Sequence, residues 1–206
     1  MKLSPELSNK YILFKDNIES RLLEFSKIQA EKYFYELCFC FCTPQSKASS
    51  ALIVQNELER LDFKNNSFDP VDILFRKENY IRFHRQKSNR LMEMKDRFTE
   101  IESLLNSDLD NFKKRNWLAE NLKGIGYKEA SHFLRNIGYR DLAILDRHIL
   151  KHLVSCELFK EIPNISTKQR YLDVEKRFLE FAESVNIPID HLDLLFWSEE
   201  AGEILK

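Results

Sequence analysis

Apolar residues recur through most of the chain at the three- and four-residue spacing of amphipathic helices. Ser4 and Pro5 form a typical helix start, and apolar residues follow at helical intervals. The same spacing predicts further helices over 29–41, 45–61, 69–77, 80–105 and 108–122. The long 80–105 segment is expected to break near Arg97. No segment alternates apolar and polar residues over a convincing length, so we expect an all-α fold.

The second half of the chain continues this pattern around one tight turn. A pair of helices is predicted over about 112–138, joined by a glycine-containing turn. Asp146 is placed to cap a helix over 147–154, and Ser166 or Thr167 to cap another that ends near Val185. After a break at 187–189, a last helix includes 192–197.

Composition agrees with a helical protein and limits the classes of function. The 206 residues include only four Gly and five Pro, enough chain for one core or two small lobes. The net charge of −1 does not indicate a basic domain, so any DNA contact needs a local basic face. A stretch in 82–95 can supply phosphate contacts, although an exposed helix face explains it equally. Its basic residues are Arg82, His84, Arg85, Lys87, Arg90 and Lys95.

No apolar run reaches the roughly 20 residues of a membrane span, and the N-terminus lacks a signal-peptide stretch. We therefore expect a cytoplasmic protein without membrane association. The cysteines at 38, 40, 42 and 156 lack the spacing of metal sites and are interpreted as small, reduced core residues. An iron–sulfur cluster is excluded on this basis, and no metal or other cofactor is expected.

The most informative segment contains two of the four glycines, Gly124 and Gly126, flanking Ile125. Glycine permits backbone angles that other residues resist, and amides at the start of the next helix can bind a phosphate oxygen. Ile125 can anchor the turn in the core, and Gly138 is a plausible C-terminal cap. An ordinary helical corner is the alternative, but this pattern favours a helix-hairpin-helix motif on the DNA backbone.

Lys128 lies in the first turn of the helix that follows the hairpin. The positive end of the helix dipole disfavours an ammonium there and favours the neutral, nucleophilic amine. Most lysines are simply solvated, but this position beside a phosphate-binding turn indicates a functional role. Asp146 is first of all a helix cap. A carboxylate fixed in this way can also stabilise positive charge that develops on a sugar as its base leaves.

These residues resemble a known family. Gly124 to Gly138 followed by Ala143 to His148 closely resembles the short, cluster-free 8-oxoguanine DNA glycosylase/lyases of archaea and some bacteria. They belong to the helix-hairpin-helix glycosylase superfamily. Residues 42–47, 81–84 and 192–197 resemble further signatures, so the similarity covers most of the chain.

The resemblance implies a fold of two helical lobes with the active-site cleft between them. One lobe is a helical barrel over roughly 29–133, and the other combines 1–28 with 134–206. The whole chain is expected to form a single, monomeric catalytic unit. Its expected partner is double-stranded DNA that contains 8-oxoguanine or an abasic site, which implies that the enzyme works at the nucleoid.

The resemblance also implies roles for individual residues. Lys128 would attack C1′, displace the base and form a Schiff base, and β-elimination would then nick the strand on the 3′ side. Asp146 would assist base loss, and Lys206, which matches the family's terminal lysine, would distinguish 8-oxoguanine from guanine. The remaining matches are base-pocket residues and a stacking face: Asp193, Trp197 and Phe83.

The residues themselves leave several alternatives open. A flipped base needs aromatic faces, which Phe83 and Trp197 can supply, but either side chain can equally be a core residue. Gln45 can fill the gap left by the flipped base, while Thr43 or Ser46 can simply cap a helix. Lys206 can be a frayed end. Three alternative functions remain: a glycosylase/lyase for another oxidised base, a non-catalytic DNA-binding module, and a structural helical protein.

Overall fold

The computed structural model describes residues 2–201, including the side chains of 2–199. This part of the chain contains no strand, which confirms the all-α prediction. Its helices are α1 (Pro5–Ser26), α2 (Tyr33–Cys42), α3 (Ala48–Arg60), α4 (Val71–Phe75), α5 (His84–Asp96), α6 (Phe98–Leu105), α7 (Asn111–Asn121), α8 (Tyr127–Asn136), α9 (Arg147–Ser155), α10 (Lys168–Val185) and α11 (Ile189–Ala201). Short 3-10 turns lie at Ala30–Lys32 and Lys77–Asn79.

The chain divides into two units. The first, which we call the discontinuous unit, combines the N-terminal segment up to Lys27 with the C-terminal segment from Leu134. The second, the central unit, is Ile28–Phe133. The boundary falls within α8, so the helix that follows the hairpin contributes residues to both units.

Short polar side chains start several helices by accepting hydrogen bonds from backbone amides. The Ser4 hydroxyl accepts from the Leu7 N–H, and Thr167 accepts from the Arg170 N–H. These contacts satisfy amides that have no partner within the helix. They confirm the start predicted for α1 and assign the cap of α10 to Thr167.

Four of the predicted helices begin three or four residues later than expected: those predicted from residues 29, 45, 80 and 108 begin at Tyr33, Ala48, His84 and Asn111. The segment predicted as one helix over 80–105 begins only at His84, although it does break at Arg97 as expected. The helix predicted from residue 45 begins at Ala48, because residues 44–46 form a turn. Gln45 has a left-handed φ of 57° in that turn, a conformation that a helix does not accept.

The core of the central unit is built on α2, in which every residue from Phe34 to Cys42 is buried. Cys38, Cys40 and Cys42 are free thiols within this core, as the sequence predicted. Burial raises the pKa of the Cys42 thiol to about 12, so its reactive thiolate is disfavoured.

The core of the discontinuous unit forms around α11, which packs against α1, α9 and α10. Leu192, Leu195 and Phe196 are fully buried there. No helix in the described part of the chain is both long and apolar enough to cross a membrane.

Candidate active site

One of the two hairpin glycines, Gly124, has the left-handed backbone that glycine permits, while Gly126 does not. Gly124 has φ +93°, and a Cβ built on it would lie 3.2 Å from Cγ of Arg90, so a side chain would meet both strain and crowding. Ile125 is 4% exposed, and its N–H donates to the Leu122 carbonyl over 3.2 Å. The hairpin is therefore a close turn held to its unit by a buried isoleucine.

Helix α8 follows the hairpin and ends in the predicted glycine cap. The N–H of Gly138 donates to the Arg135 carbonyl, and the N–H of Tyr139 donates to the Leu134 carbonyl, both over 3.0 Å. Gly138 has φ +95°, the left-handed value that this ending requires. The side chains of Ala130, Phe133 and Leu134 on α8 are buried, as is that of Ile137 just after it.

Lys128 is the second residue of α8, and its side chain is partly exposed. Its Nζ lies 3.0 Å from Oε1 of Glu129. The other oxygen of that carboxylate, Oε2, accepts a hydrogen bond from the backbone N–H of Gly126 over 3.2 Å. Glu129 thus connects the lysine to the hairpin, and the Gly126 amide predicted to contact DNA is directed at an internal carboxylate in this structure.

Lys87 departs from the exposed basic stretch to which its sequence neighbours belong. It is 9% exposed, and its Nζ donates to the carbonyls of Cys42 and Pro44 over 2.8 and 2.7 Å. Burial lowers its pKa to about 8. Lys87 therefore holds the turn after α2 in place and does not belong to an exposed basic face.

That turn contains Gln45, which is exposed. The helix-capping alternative is wrong for its neighbours, since neither caps α3. The Thr43 hydroxyl donates to the Cys40 carbonyl, and the Ser46 hydroxyl accepts from the Arg82 N–H over 3.0 Å. Gln45 is left as a polar side chain on a rigid corner, and its wedge role stays a prediction.

Phe83 precedes α5 with φ +59° and is 47% exposed. A bulky residue in the left-handed region is a strained outlier, and such strain is concentrated at functional sites. The Arg82 guanidinium lies 4.9 Å from the centre of the Phe83 ring. The core-packing alternative is therefore wrong for this phenylalanine.

Asp146 caps α9 as predicted. Its Oδ1 accepts from the N–H groups of His148 and Ile149 over 2.8 and 2.9 Å. Both bonds go to the same oxygen, so the carboxylate has a fixed orientation at the positive end of the helix.

Asp193 and Trp197 lie one turn apart on α11. Oδ2 of Asp193 pairs with Arg135 over 2.9 Å, and both side chains are almost fully buried. Burial raises the pKa of Asp193 to about 7, against the lowering effect of the Arg135 guanidinium. Its other oxygen, Oδ1, has no hydrogen-bond partner in the described part of the chain. The Trp197 ring centre lies 5.1 Å from that of His148, on the helix that Asp146 caps.

The predicted site residues fall into two groups, one in each unit. The central unit holds Lys128, Gly124, Gly126, Gln45 and Phe83, and the discontinuous unit holds Asp146, Asp193 and Trp197. Lys206 lies outside the described residues. Across the described residues, His, Cys, Asp and Glu side chains do not form a group of three or more suited to a metal ion.

Three neighbours of these residues were missed by the sequence analysis: Glu129, Lys87 and Arg135. A signal existed for Glu129, because an acid three residues after a helix N-cap is typical of a capping box. The other two are basic residues in helices of ordinary composition. Their burial follows from tertiary packing, which no local pattern records.

Comparison with known proteins identifies the family of the chain. The family described as 8-oxoguanine DNA glycosylase matches residues 18–187. An 8-oxoguanine DNA glycosylase/AP lyase of Fusobacterium nucleatum is 37% identical, with 98% of this chain and 96% of the relative covered. One from Methanocaldococcus jannaschii is 35% identical, with 100% of this chain and 99% of the relative covered.

Solved structures give the same result. The M. jannaschii enzyme in complex with a 15mer DNA containing 8-oxoguanine superposes with a TM-score of 0.85 at 34% identity, covering 98% of this chain and 100% of that one. The 8-oxoguanine DNA glycosylase of Thermotoga maritima gives a TM-score of 0.86 at 32% identity, with 98% and 97% covered. With the family match spanning well over half of the sequence, the chain belongs to the 8-oxoguanine DNA glycosylases.

Proposed function

We propose that this protein excises 8-oxoguanine from double-stranded DNA and then nicks the strand, with Lys128 as the nucleophile. The observation that carries this proposal is the position of Lys128: a partly exposed amine in the first turn of the helix that follows the glycine hairpin. The names of the relatives supply the substrate, and an enzyme of this kind would work at the nucleoid.

The first step forms a bond between Nζ of Lys128 and C1′ of the damaged nucleotide. The glycosidic bond breaks, and its electron pair leaves with the base, which takes up a proton. Positive charge develops on the sugar as this bond breaks. Both capping bonds of Asp146 go to Oδ1, which leaves Oδ2 to stabilise that charge.

The second step uses the same lysine. The sugar ring opens and the C1′ adduct becomes an iminium, a Schiff base between Lys128 and the deoxyribose. This cation acidifies C2′, so a proton is lost there and the C3′–O bond breaks. The strand is then nicked on the 3′ side of the abasic site, and hydrolysis of the imine returns the free amine.

The base must leave the duplex stack to reach these groups, and it needs a pocket that holds a flipped purine. We propose Phe83 and Trp197 as its aromatic contacts, because both rings are partly exposed. Asp193 is proposed to recognise an N–H of the base through Oδ1, which has no partner in the described part of the protein. Arg135 would keep that carboxylate in its orientation.

Contacts to the DNA backbone are proposed at Gly124 and Gly126; because Glu129 accepts the Gly126 N–H, the contact at Gly126 would be a close approach that the missing side chain allows. Gln45 is proposed as the wedge that replaces the flipped base. Its exposed side chain stands on a corner that the buried Lys87 secures, and a rigid corner suits a wedge.

The family resemblance adds Lys206 as the residue that distinguishes 8-oxoguanine from guanine. Replacement Lys206→Ala should slow excision of 8-oxoguanine and leave nicking at a preformed abasic site near the wild-type rate. Equal slowing on both substrates would contradict a role in base selection.

The proposed function is tested by borohydride trapping on a panel of duplexes with 8-oxoguanine, an oxidised pyrimidine, an abasic site or no lesion. We expect covalent complexes with 8-oxoguanine and the abasic site only. A non-catalytic DNA-binding module would give no covalent product. A pyrimidine glycosylase would form a covalent complex with the duplex that contains the oxidised pyrimidine. In a separate binding measurement, affinity for the duplex should fall as the salt concentration rises. An affinity that does not change with salt would contradict the phosphate contacts.

A further inference from the structure

Glu129 is the carboxylate nearest to the proposed nucleophile, and both of its oxygens are engaged. Oε1 lies 3.0 Å from Nζ of Lys128, while Oε2 accepts the Gly126 N–H over 3.2 Å. Its side chain is only 15% exposed. A single, largely buried acid therefore contacts both the reactive amine and the turn that precedes it.

We propose that Glu129 is a positioning residue for the nucleophile: it holds the amine of Lys128 in a fixed place relative to the hairpin. This inference rests on the proposed function. A free lysine side chain occupies many rotamers, and attack on C1′ requires one of them. A carboxylate that binds Nζ at one end and the hairpin backbone at the other restricts the amine to positions defined by the turn.

Ordinary helix capping explains only one of these contacts. In a capping box the acid three residues into the helix accepts the N–H of the N-cap residue, and Glu129 does this to Gly126. The ion pair with Lys128 is additional. It offsets the repulsion between the ammonium and the positive helix end, so a lysine can occupy a place that the dipole disfavours.

The surrounding charges give Glu129 a second effect. Glu129 pairs with Lys128 on its own helix, and the ammonium of Lys87 from α5 interacts electrostatically with both residues. The negative charge of Glu129 therefore offsets the repulsion between two cations. Without its charge the two ammonium groups would repel each other, and the neutral amine of Lys128 would form more readily at lower pH.

Two substitutions separate position from charge. Glu129→Gln keeps only one of the two oxygens, so only one of the two present contacts keeps its acceptor atom, and it removes the charge. Glu129→Asp keeps the charge on a shorter side chain. Glu120→Gln is the matched control, because Glu120 accepts the Tyr127 hydroxyl over 2.9 Å beside the same helix start.

The measurement is the single-turnover rate of borohydride trapping on an abasic duplex as a function of pH. For Glu129→Gln we expect a limiting rate about 10- to 100-fold lower, because the amine is misplaced. The acidic limb of its pH–rate profile should also move to lower pH, because the negative charge beside the amine is lost. Glu129→Asp should be slowed with its acidic limb in place. Glu120→Gln should match the wild-type protein in the limiting rate and in the position of the acidic limb.

The rates are corrected for the folded fraction, measured by circular dichroism on the same samples. A Glu129→Gln variant that traps at the wild-type rate with an unmoved acidic limb would show that the acid only caps the helix, and would overturn the inference alone. Failure of the wild-type protein to trap would instead overturn the proposed function.

Discussion

Two helices of this protein begin beside a proposed functional charge, and the two charges have opposite signs. Asp146 caps α9, where the positive helix end and two backbone N–H groups stabilise its carboxylate. Lys128 sits in the first turn of α8, where the same field opposes an ammonium. Capping explains the position of Asp146 without any chemistry. The ion pair with Glu129 offsets this field but does not by itself favour a lysine over a neutral residue there, so the place of Lys128 is the stronger indication of function.

The largest effect is expected for Lys128→Gln. The amide cannot form an imine, so borohydride trapping and strand nicking should fall at least about 1,000-fold. Stability should change little, because the unfavourable charge leaves the helix start but the ion pair with Glu129 is lost as well. Trapping assays and thermal melts of the same preparation measure the two quantities.

Lys123→Gln is the control for Lys128→Gln, since Lys123 is an exposed lysine of the same hairpin. Its trapping rate should stay within a few-fold of wild type at constant salt. Undiminished trapping by the Lys128 variant would reassign the nucleophile.

The second-largest effect is expected for Asp146, where two substitutions separate helix capping from stabilisation of the positive charge on the sugar. Asp146→Asn keeps a good helix cap and removes the charge, so base release should slow about 100-fold or more with little loss of stability. Asp146→Ala removes the cap as well and should cost about 1 kcal/mol of stability in addition. Single-turnover excision and denaturant unfolding distinguish these outcomes. Equal destabilisation by both substitutions would mean that the cap does not depend on the side-chain oxygen.

The contrast between these two regions also explains what the sequence could predict. The hairpin turn, the Gly138 cap and the Asp146 cap each depend on residues a few positions apart. Local spacing records such features, and the structure confirms them. The family resemblance was carried by the same short segments.

The features that were missed depend on distant parts of the chain. The sequence around Lys87 predicts one of several exposed basic residues. In the structure its ammonium donates hydrogen bonds to the carbonyls of Cys42 and Pro44, more than forty positions earlier. Arg135 reads as an ordinary basic residue near a helix end, yet it pairs with Asp193 fifty-eight positions later. Burial of a charge is set by tertiary packing, and a single sequence does not reveal which long side chain packs inward.

The third prediction concerns pH and the discontinuous unit. Burial raises the pKa of Asp193 from 3.8 to about 7, so between these values the folded protein binds the extra proton. Stability must therefore fall as pH rises through this window, by up to about 1.4 kcal/mol per pH unit. Asp193→Asn should flatten that slope in denaturant unfolding, with part remaining because burial also raises the pKa of Asp190. The exposed Asp16→Asn should leave the slope as it is.

The smallest effect is expected in the central unit and has the opposite sign. Burial lowers the pKa of Lys87 from 10.5 to about 8, so between these values the unfolded chain binds the extra proton. The contribution of Lys87 to stability should therefore rise with pH, most clearly below about pH 9, because above that pH the buried thiols of Cys42 and Cys156, whose pKa burial raises, contribute with the opposite sign. Lys87→Met should flatten the rise, even though it also loses the hydrogen bonds to Cys42 and Pro44 and starts from a lower stability. The exposed Lys151→Met should keep the wild-type slope. A slope that persists in the Lys87 variant would mean that its ammonium is solvated, and the corner bearing Gln45 would then lack the buried anchor that makes it rigid.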